Sequence, residues 1–95
     1  MKLRFYIDPE TGEPHILNHD VDEEEVREVL ENAGEDRPGR EGSRVVIGRT
    51  EDGRYLRVIY VPDPEPDSAF VITAYDLKGK PLAAYRSRRK RKGRR

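Results

Sequence analysis

Residues 43–62, SRVVIGRTEDGRYLRVIYVP, constrain the fold more than any other stretch. Two runs rich in β-branched and aromatic residues flank Asp52-Gly53, and such runs about a short glycine turn read as a β-hairpin. A type I′ turn at Asp52-Gly53 would set Thr50 against Tyr55, Gly48 against Arg57 and Val46 against Ile59 on one face. It would set Ile47 against Val58 and Val45 against Tyr60 on the other, the expected core side. A bulge would swap part of this pairing, because a slip of one residue moves a strand's side chains to the opposite face.

A lone hairpin is not stable in water, so the flanking segments must cover it. KLRFYID, residues 2–8, alternates Leu3, Phe5 and Ile7 with polar positions and reads as a half-buried strand. DPETGEP breaks it, and PHILNH reads as a short helix. In DVDEEEVREVLENAG, Asp22 and Glu25 have capping-box spacing, and Val21 and Val26 fall at the positions of a hydrophobic staple. Val26, Val29, Leu30 and Ala33 make one apolar stripe, and Gly34 suits the C-terminal cap. EDRPGREG reads as a loop. AFVITAY, residues 69–75, is a further strand, and a short helix after Pro81 is expected to fray into a basic tail. The fold class is α+β, in the order β-α-α-β-β-β: a small, mainly antiparallel sheet with its helices packed on one face. Residues 1–85 form a single domain and residues 86–95 a basic, flexible tail.

Only 34% of the 95 residues are apolar, so the core must be thin. There is no cysteine, which removes disulfides, thiol nucleophiles and thiolate metal sites. No apolar run has the length of a signal peptide or a membrane span, and a cytoplasmic protein is expected. The net charge of zero hides a segregation. Residues 1–75 hold 18 acids and 9 bases, for −9; residues 76–95 hold Asp76 and 10 bases, for +9. A basic tail on an acidic body points to a polyanion, above all nucleic acid.

Three motifs in order resemble the BrnT family of bacterial toxins, of the RelE-like ribonuclease group. Asp8-Pro9 ends the first strand and His19 follows Asp8 by eleven residues, in HDVDEEEV. The hairpin reads IGRTEDGRYLRVIY, and the last strand carries ITAY, Ile72–Tyr75. The sequence departs from that pattern at Thr11, where the family usually has Lys, at His15 for Asn, and at Tyr75 for Arg. A related group of uncharacterised domains also ends its sheet in TAY. The resemblance implies an endoribonuclease toxin of a type II toxin–antitoxin pair. It would act without a metal on RNA, free or on the ribosome, with a separately encoded antitoxin as its protein partner.

Such chemistry needs a base for the ribose 2′-hydroxyl, cations for the phosphate, and an acid for the leaving oxygen. His19, Arg57 and Tyr75 are the candidate catalytic residues: imidazole for proton transfer, a guanidinium fork for phosphate, a phenol for stacking or proton donation. Arg57 sits in a strand opposite the expected Gly48, which would leave room for a ligand. Arg49, Arg54 and Tyr55 at the hairpin, Lys78 and Lys80 after the last strand, and Arg86, Arg88 and Arg89 in the tail are candidate RNA contacts. Each has a structural alternative. His19 suits the mouth of a helix, Arg57 and Tyr75 suit an ordinary sheet surface, and the tail suits a solubilising or self-contacting role. A metal at His15 and His19 would need a third ligand, with Asp8, Glu10 or Glu13 nearest in sequence, and no known spacing supports it. No cofactor is expected. A non-catalytic nucleic-acid-binding or protein-interaction module on the same fold is the alternative function.

Overall fold

The computed structural model describes residues 1–92, with side chains as far as residue 90; residues 93–95, the end of the expected tail, lie outside it. The order is β1 (Lys2–Phe5), a 3₁₀ helix (His15–His19), α1 (Glu23–Glu31), β2 (Ala33–Pro38), a short 3₁₀ turn (Arg40–Gly42), β3 (Arg44–Arg49), β4 (Tyr55–Pro62), β5 (Ser68–Asp76) and α2 (Gly79–Lys92). The five strands form one sheet in the order β1-β5-β4-β3-β2. β1 lies parallel to β5, and every other pairing is antiparallel. The protein is α+β, as the sequence leads one to expect.

Local chemistry sets most of these elements. The Asp22 side chain accepts from the Glu25 N–H at 2.8 Å, and Glu25 accepts from the Asp22 N–H at 3.1 Å, closing the capping box. Val26 and Val29 then turn inward, fully buried. The helix stops at Glu31, short of Gly34, because residues 33–38 join β3 as an edge strand. This fifth strand replaces the expected loop. AGEDRP has no strand propensity of its own; the free edge of β3 supplies its partners.

The hairpin register differs from the expected one by a residue. Gly53 N–H donates to the Thr50 carbonyl at 2.9 Å, and Thr50 N–H donates to the Arg54 carbonyl at 2.8 Å. Gly53 takes φ +89°. This is a three-residue loop, a type I turn closed by a left-handed glycine, in place of the two-residue type I′ turn. Arg49 therefore pairs with Tyr55, Gly48 with Leu56, Ile47 with Arg57 and Val46 with Val58. Ile47 and Val58 point to opposite faces.

One face carries Val46, Leu56, Val58, Val71 and Ala74, closed by Ile16 and Val21 together with Val26 and Val29 of α1. Ile72 is an extra residue in β5, between the pairs Ile59–Thr73 and Tyr60–Val71, and it lets Val71 and Ala74 share that face. Gly48 also faces α1. A Cβ there would sit 3.1 Å from Val29 Cγ1, so the glycine makes space for the helix and not for a ligand beside Arg57. α1 and the first 3₁₀ helix share this face. The opposite face is not entirely free: α2 lies across one end of it, where Tyr85 and Leu82 pack with Ile47, Leu77 and Tyr55. The segment expected as a flexible tail is thus helical through Lys92. Arg88 pairs with Glu35, and Arg89 donates to the Gly34 carbonyl at 2.9 Å. No described helix is long and apolar enough to cross a membrane.

Candidate functional site

β1 covers β5 only as far as Val71. Beyond that point the 3₁₀ helix His15–His19 packs along the uncovered length of β5. Its rings continue the sheet's open face in a row. Tyr6 stands edge-on to His15 with ring centroids 6.1 Å apart, His15 to His19 at 5.1 Å, and His19 to Tyr75 at 5.9 Å. Arg57, the cross-strand partner of Tyr75, completes the row. Its guanidinium carbon lies 5.9 Å from the Tyr75 ring, and its Nη1 donates to the Tyr75 hydroxyl at 3.4 Å. The three candidate catalytic residues, spread from position 19 to position 75, are therefore neighbours. His19 is exposed, while Tyr75 and Arg57 are half-buried.

Arg57 has no carboxylate partner among the described residues, and its buried Nε has no hydrogen-bond acceptor there either. Thr73 Oγ1, one pair further along the same face, is likewise buried without a partner. An uncommitted guanidinium on an open sheet face can turn its outer nitrogens to an anion without breaking an ion pair.

Two side chains border the histidines, Asp8 at one end and Arg54 at the other. Asp8 accepts from the Glu10 N–H at 2.9 Å and from Asn18 Nδ2 at 2.6 Å, with His15 Nδ1 at 3.4 Å. Those hydrogen bonds, led by Glu10 and Asn18, hold the Asp8 carboxyl below its ordinary range. At the other end, Arg54 Nη1 donates to the Asp20 carbonyl at 2.6 Å and Nη2 to the His19 carbonyl at 3.3 Å. The same side chain reaches Asp76 at 2.6 Å and Glu25 at 3.0 Å. The Asp76 hydrogen bond, followed by Glu25, raises the guanidinium pKa, and the Arg54 contact lowers that of Asp76. Arg54, expected to touch RNA, is committed to four groups of its own chain. It seats the end of the 3₁₀ helix, and with it His19, against β5 and α1.

A second cluster lies on the same face, two residues along β4. Arg49 and Arg86 place their guanidinium carbons 5.6 Å and 5.0 Å from the Tyr55 ring. With Arg89, Tyr85, Gly34 and Asn32 they line a depression of about 320 Å³. Of the other expected contacts, Arg88 is taken by Glu35, which reaches it and Arg37. Lys78 lies 3.8 Å from Asp76, and Lys80 is exposed at the start of α2; among the described contacts neither joins the row or the depression. No three of the described His, Asp and Glu side chains gather where a metal ion would be held. Sequence reasoning missed Tyr6, Asn18 and the seating role of Arg54. The Asp8-Pro9-Glu10 turn was the one local hint, since an aspartate that bonds two residues on is a turn anchor.

A family model described as "Domain of unknown function (DUF4258)" matches residues 15–76, and the chain belongs to that family. The match runs from His15 through Asp76, so it contains His19, Arg54, Arg57 and Tyr75 and leaves out β1 and α2. No curated protein matches the chain, and no solved structure does.

Proposed function

We propose that this member of the DUF4258 family is an endoribonuclease of the toxin type, working at the row His19–Tyr75–Arg57 without a metal. The observation that carries the reading is that row: imidazole, phenol and uncommitted guanidinium brought together from the 3₁₀ helix, β5 and β4. Its parts match what RNA transesterification requires. The ribose 2′-oxygen attacks the adjacent phosphorus and its proton passes to the His19 imidazole. Arg57 faces the charge that builds on the phosphate oxygens. Because Arg57 donates to the Tyr75 oxygen, the phenol's own hydrogen is left to give to the departing 5′-oxygen. The P–O5′ bond breaks, and a 2′,3′-cyclic phosphate and a 5′-hydroxyl remain. The likeness to BrnT in sequence adds a protein partner that neutralises the enzyme, and an RNA substrate implies the cytoplasm.

Purified chain incubated with a single-stranded RNA should yield ends bearing 2′,3′-cyclic phosphate. His19→Gln should lower the rate by roughly 10²–10⁴-fold, the usual span for one acid or base, with unchanged thermal unfolding. Arg57→Ala should lower it too. Cleavage by His19→Gln at the parent rate would remove the row from the chemistry. RNA bound by the parent and left uncut would leave a nucleic-acid-binding module in place of an enzyme.

A further inference from the structure

The depression around Tyr55 is separate from the reacting row, and its chemistry is that of an anion site. Arg49 comes from β3 and Arg86 from α2, yet both guanidiniums lie within 5.6 Å of the one ring. Neither has a carboxylate within ion-pair distance among the described residues. Glu35, on β2 below α2, is already held by Arg88 and Arg37, and hydrogen bonding to Arg88 lowers its pKa. Two like charges beside one ring repel, and an anion between them turns that repulsion into attraction. Arg89, on the same wall, is anchored through Nη1 to the Gly34 carbonyl. Gly34 is needed there, because a Cβ would sit 1.9 Å from the Tyr85 hydroxyl that closes the floor.

Position gives the site a second property. Tyr55 and Arg57 are two residues apart on β4 and so face the same way, about 7 Å apart along the strand. That spacing resembles the step between neighbouring phosphates on a single strand. We infer that the Arg49–Tyr55–Arg86 depression is a phosphodiester subsite, holding the phosphate next to the one that faces Arg57 and so setting the register of a single RNA strand on the open face. The inference rests on the proposed RNA reading for the identity of the strand, but not on cleavage.

The test uses an eight-residue 2′-O-methyl RNA, which lacks the attacking hydroxyl and stays intact whether or not the chain is a nuclease. Its affinity for the full chain is measured over a range of salt, with inorganic phosphate titrated separately. The pair Arg49→Gln and Arg86→Gln should weaken oligonucleotide binding at least tenfold. It should also reduce the magnitude of the salt slope by about 0.7, the value for one phosphate of a single strand. Arg86→Gln alone, a change at an exposed helix position, should give part of the loss in a protein that unfolds like the parent. The pair Arg27→Gln and Arg40→Gln removes the same charge elsewhere and should cost less than the cup variant. Parent affinity and slope in the cup variant would overturn the subsite, as would an equal loss in the charge-matched control. Loss of inorganic phosphate binding with oligonucleotide affinity intact would overturn it as well, since the cup would then take a free anion and not a strand. A parent that binds the oligonucleotide through this cup yet cuts no RNA removes only the proposed activity.

Discussion

On one face of the sheet Val46, Leu56, Val58, Val71 and Ala74 lie under α1 and the first 3₁₀ helix, none more than 1% exposed. On the other, Tyr55, Arg57, Ile59, Thr73 and Tyr75 all stay half-open, with α2 reaching only the hairpin end. The two sets alternate along the same strands, so a one-residue step in sequence is a step from one environment to the other. With so few apolar residues the chain can close one face fully, and the second is left to polar, aromatic and cationic groups. The closed face carries the stability, and the open face carries groups whose hydrogen bonds are incomplete.

The largest test of that division is a truncation on the closed side. Leu56→Ala should cost about 3 kcal/mol, because it leaves a cavity under α1 that the sheet cannot collapse. Ile59→Ala, the same kind of change on the open face, should cost about 1 kcal/mol, since solvent or a side-chain shift fills the space. Chemical denaturation of both variants checks the pair. Equal losses would mean that something closes the second face as tightly as α1 closes the first.

Arg54 and Arg57 draw the same contrast within four residues. Arg54 ties three segments together and is one-quarter exposed, while Arg57 has, among the described residues, one long hydrogen bond to a tyrosine. Arg54→Met should cost about 2 kcal/mol, below the cost of breaking a fully buried pair because water screens part of it. Its pH dependence has a definite sign. Arg54 lowers the folded-state pKa of Asp76, so this contribution is complete above the ordinary aspartate range and is lost as pH falls through the depressed value. The gap in melting temperature between parent and Arg54→Met should therefore narrow from pH 7 to pH 3. A gap that widened in acid would show that Asp76 is not what Arg54 stabilises.

The parts of the fold that were legible in the sequence were those fixed by neighbours in the chain: the alternation of β1, β4 and β5, and the Asp22–Glu25 capping box. The register was not, because Asp52-Gly53 serves a two-residue turn and a three-residue turn equally well. Which one forms depends on which face α1 covers, and that is a tertiary fact. β2 was hidden for a related reason: a strand made of AGEDRP exists only as the partner of β3. Just ahead of the basic segment, Leu82 and Tyr85 were the only large apolar side chains to signal a docked helix. At the site, His19 could be singled out by residue type and by its spacing from Asp8, and Arg57 and Tyr75 by residue type and place in a strand; the structure brings the three together. The role of Arg54 could not be read, since its partners come from positions 19, 20, 25 and 76.

Removal of residues 86–95 probes the end of the open face that α2 covers. Tyr85 and Leu82 remain, so the fold should persist. Glu35 loses Arg88, and the Gly34 carbonyl loses Arg89, for a cost of about 1 kcal/mol. That cost should also shrink in acid, since Arg88 is the leading cause of the lowered Glu35 pKa. Nucleic-acid affinity should fall, with a shallower salt dependence. A truncated chain with the parent's affinity and salt slope would place the polyanion away from α2.

The smallest expected effect lies at the far end of the row. His15 touches its neighbours weakly: its Nδ1 is 3.4 Å from both Asp8 and Asn18, and its ring meets Tyr6 and His19 edge-on. Asp8 keeps its Glu10 and Asn18 donors when His15 is replaced. His15→Asn retains a polar group at the start of the 3₁₀ helix and leaves His19, held through its carbonyl by Arg54, in place. Stability should move by no more than about 0.5 kcal/mol, and any cleavage rate by no more than about threefold. Parallel rate measurements on His15→Asn and His19→Gln separate a supporting residue from a reacting one. A fall in His15→Asn as deep as that in His19→Gln would make the two imidazoles a working pair, and the reacting row would then extend from Arg57 as far as His15.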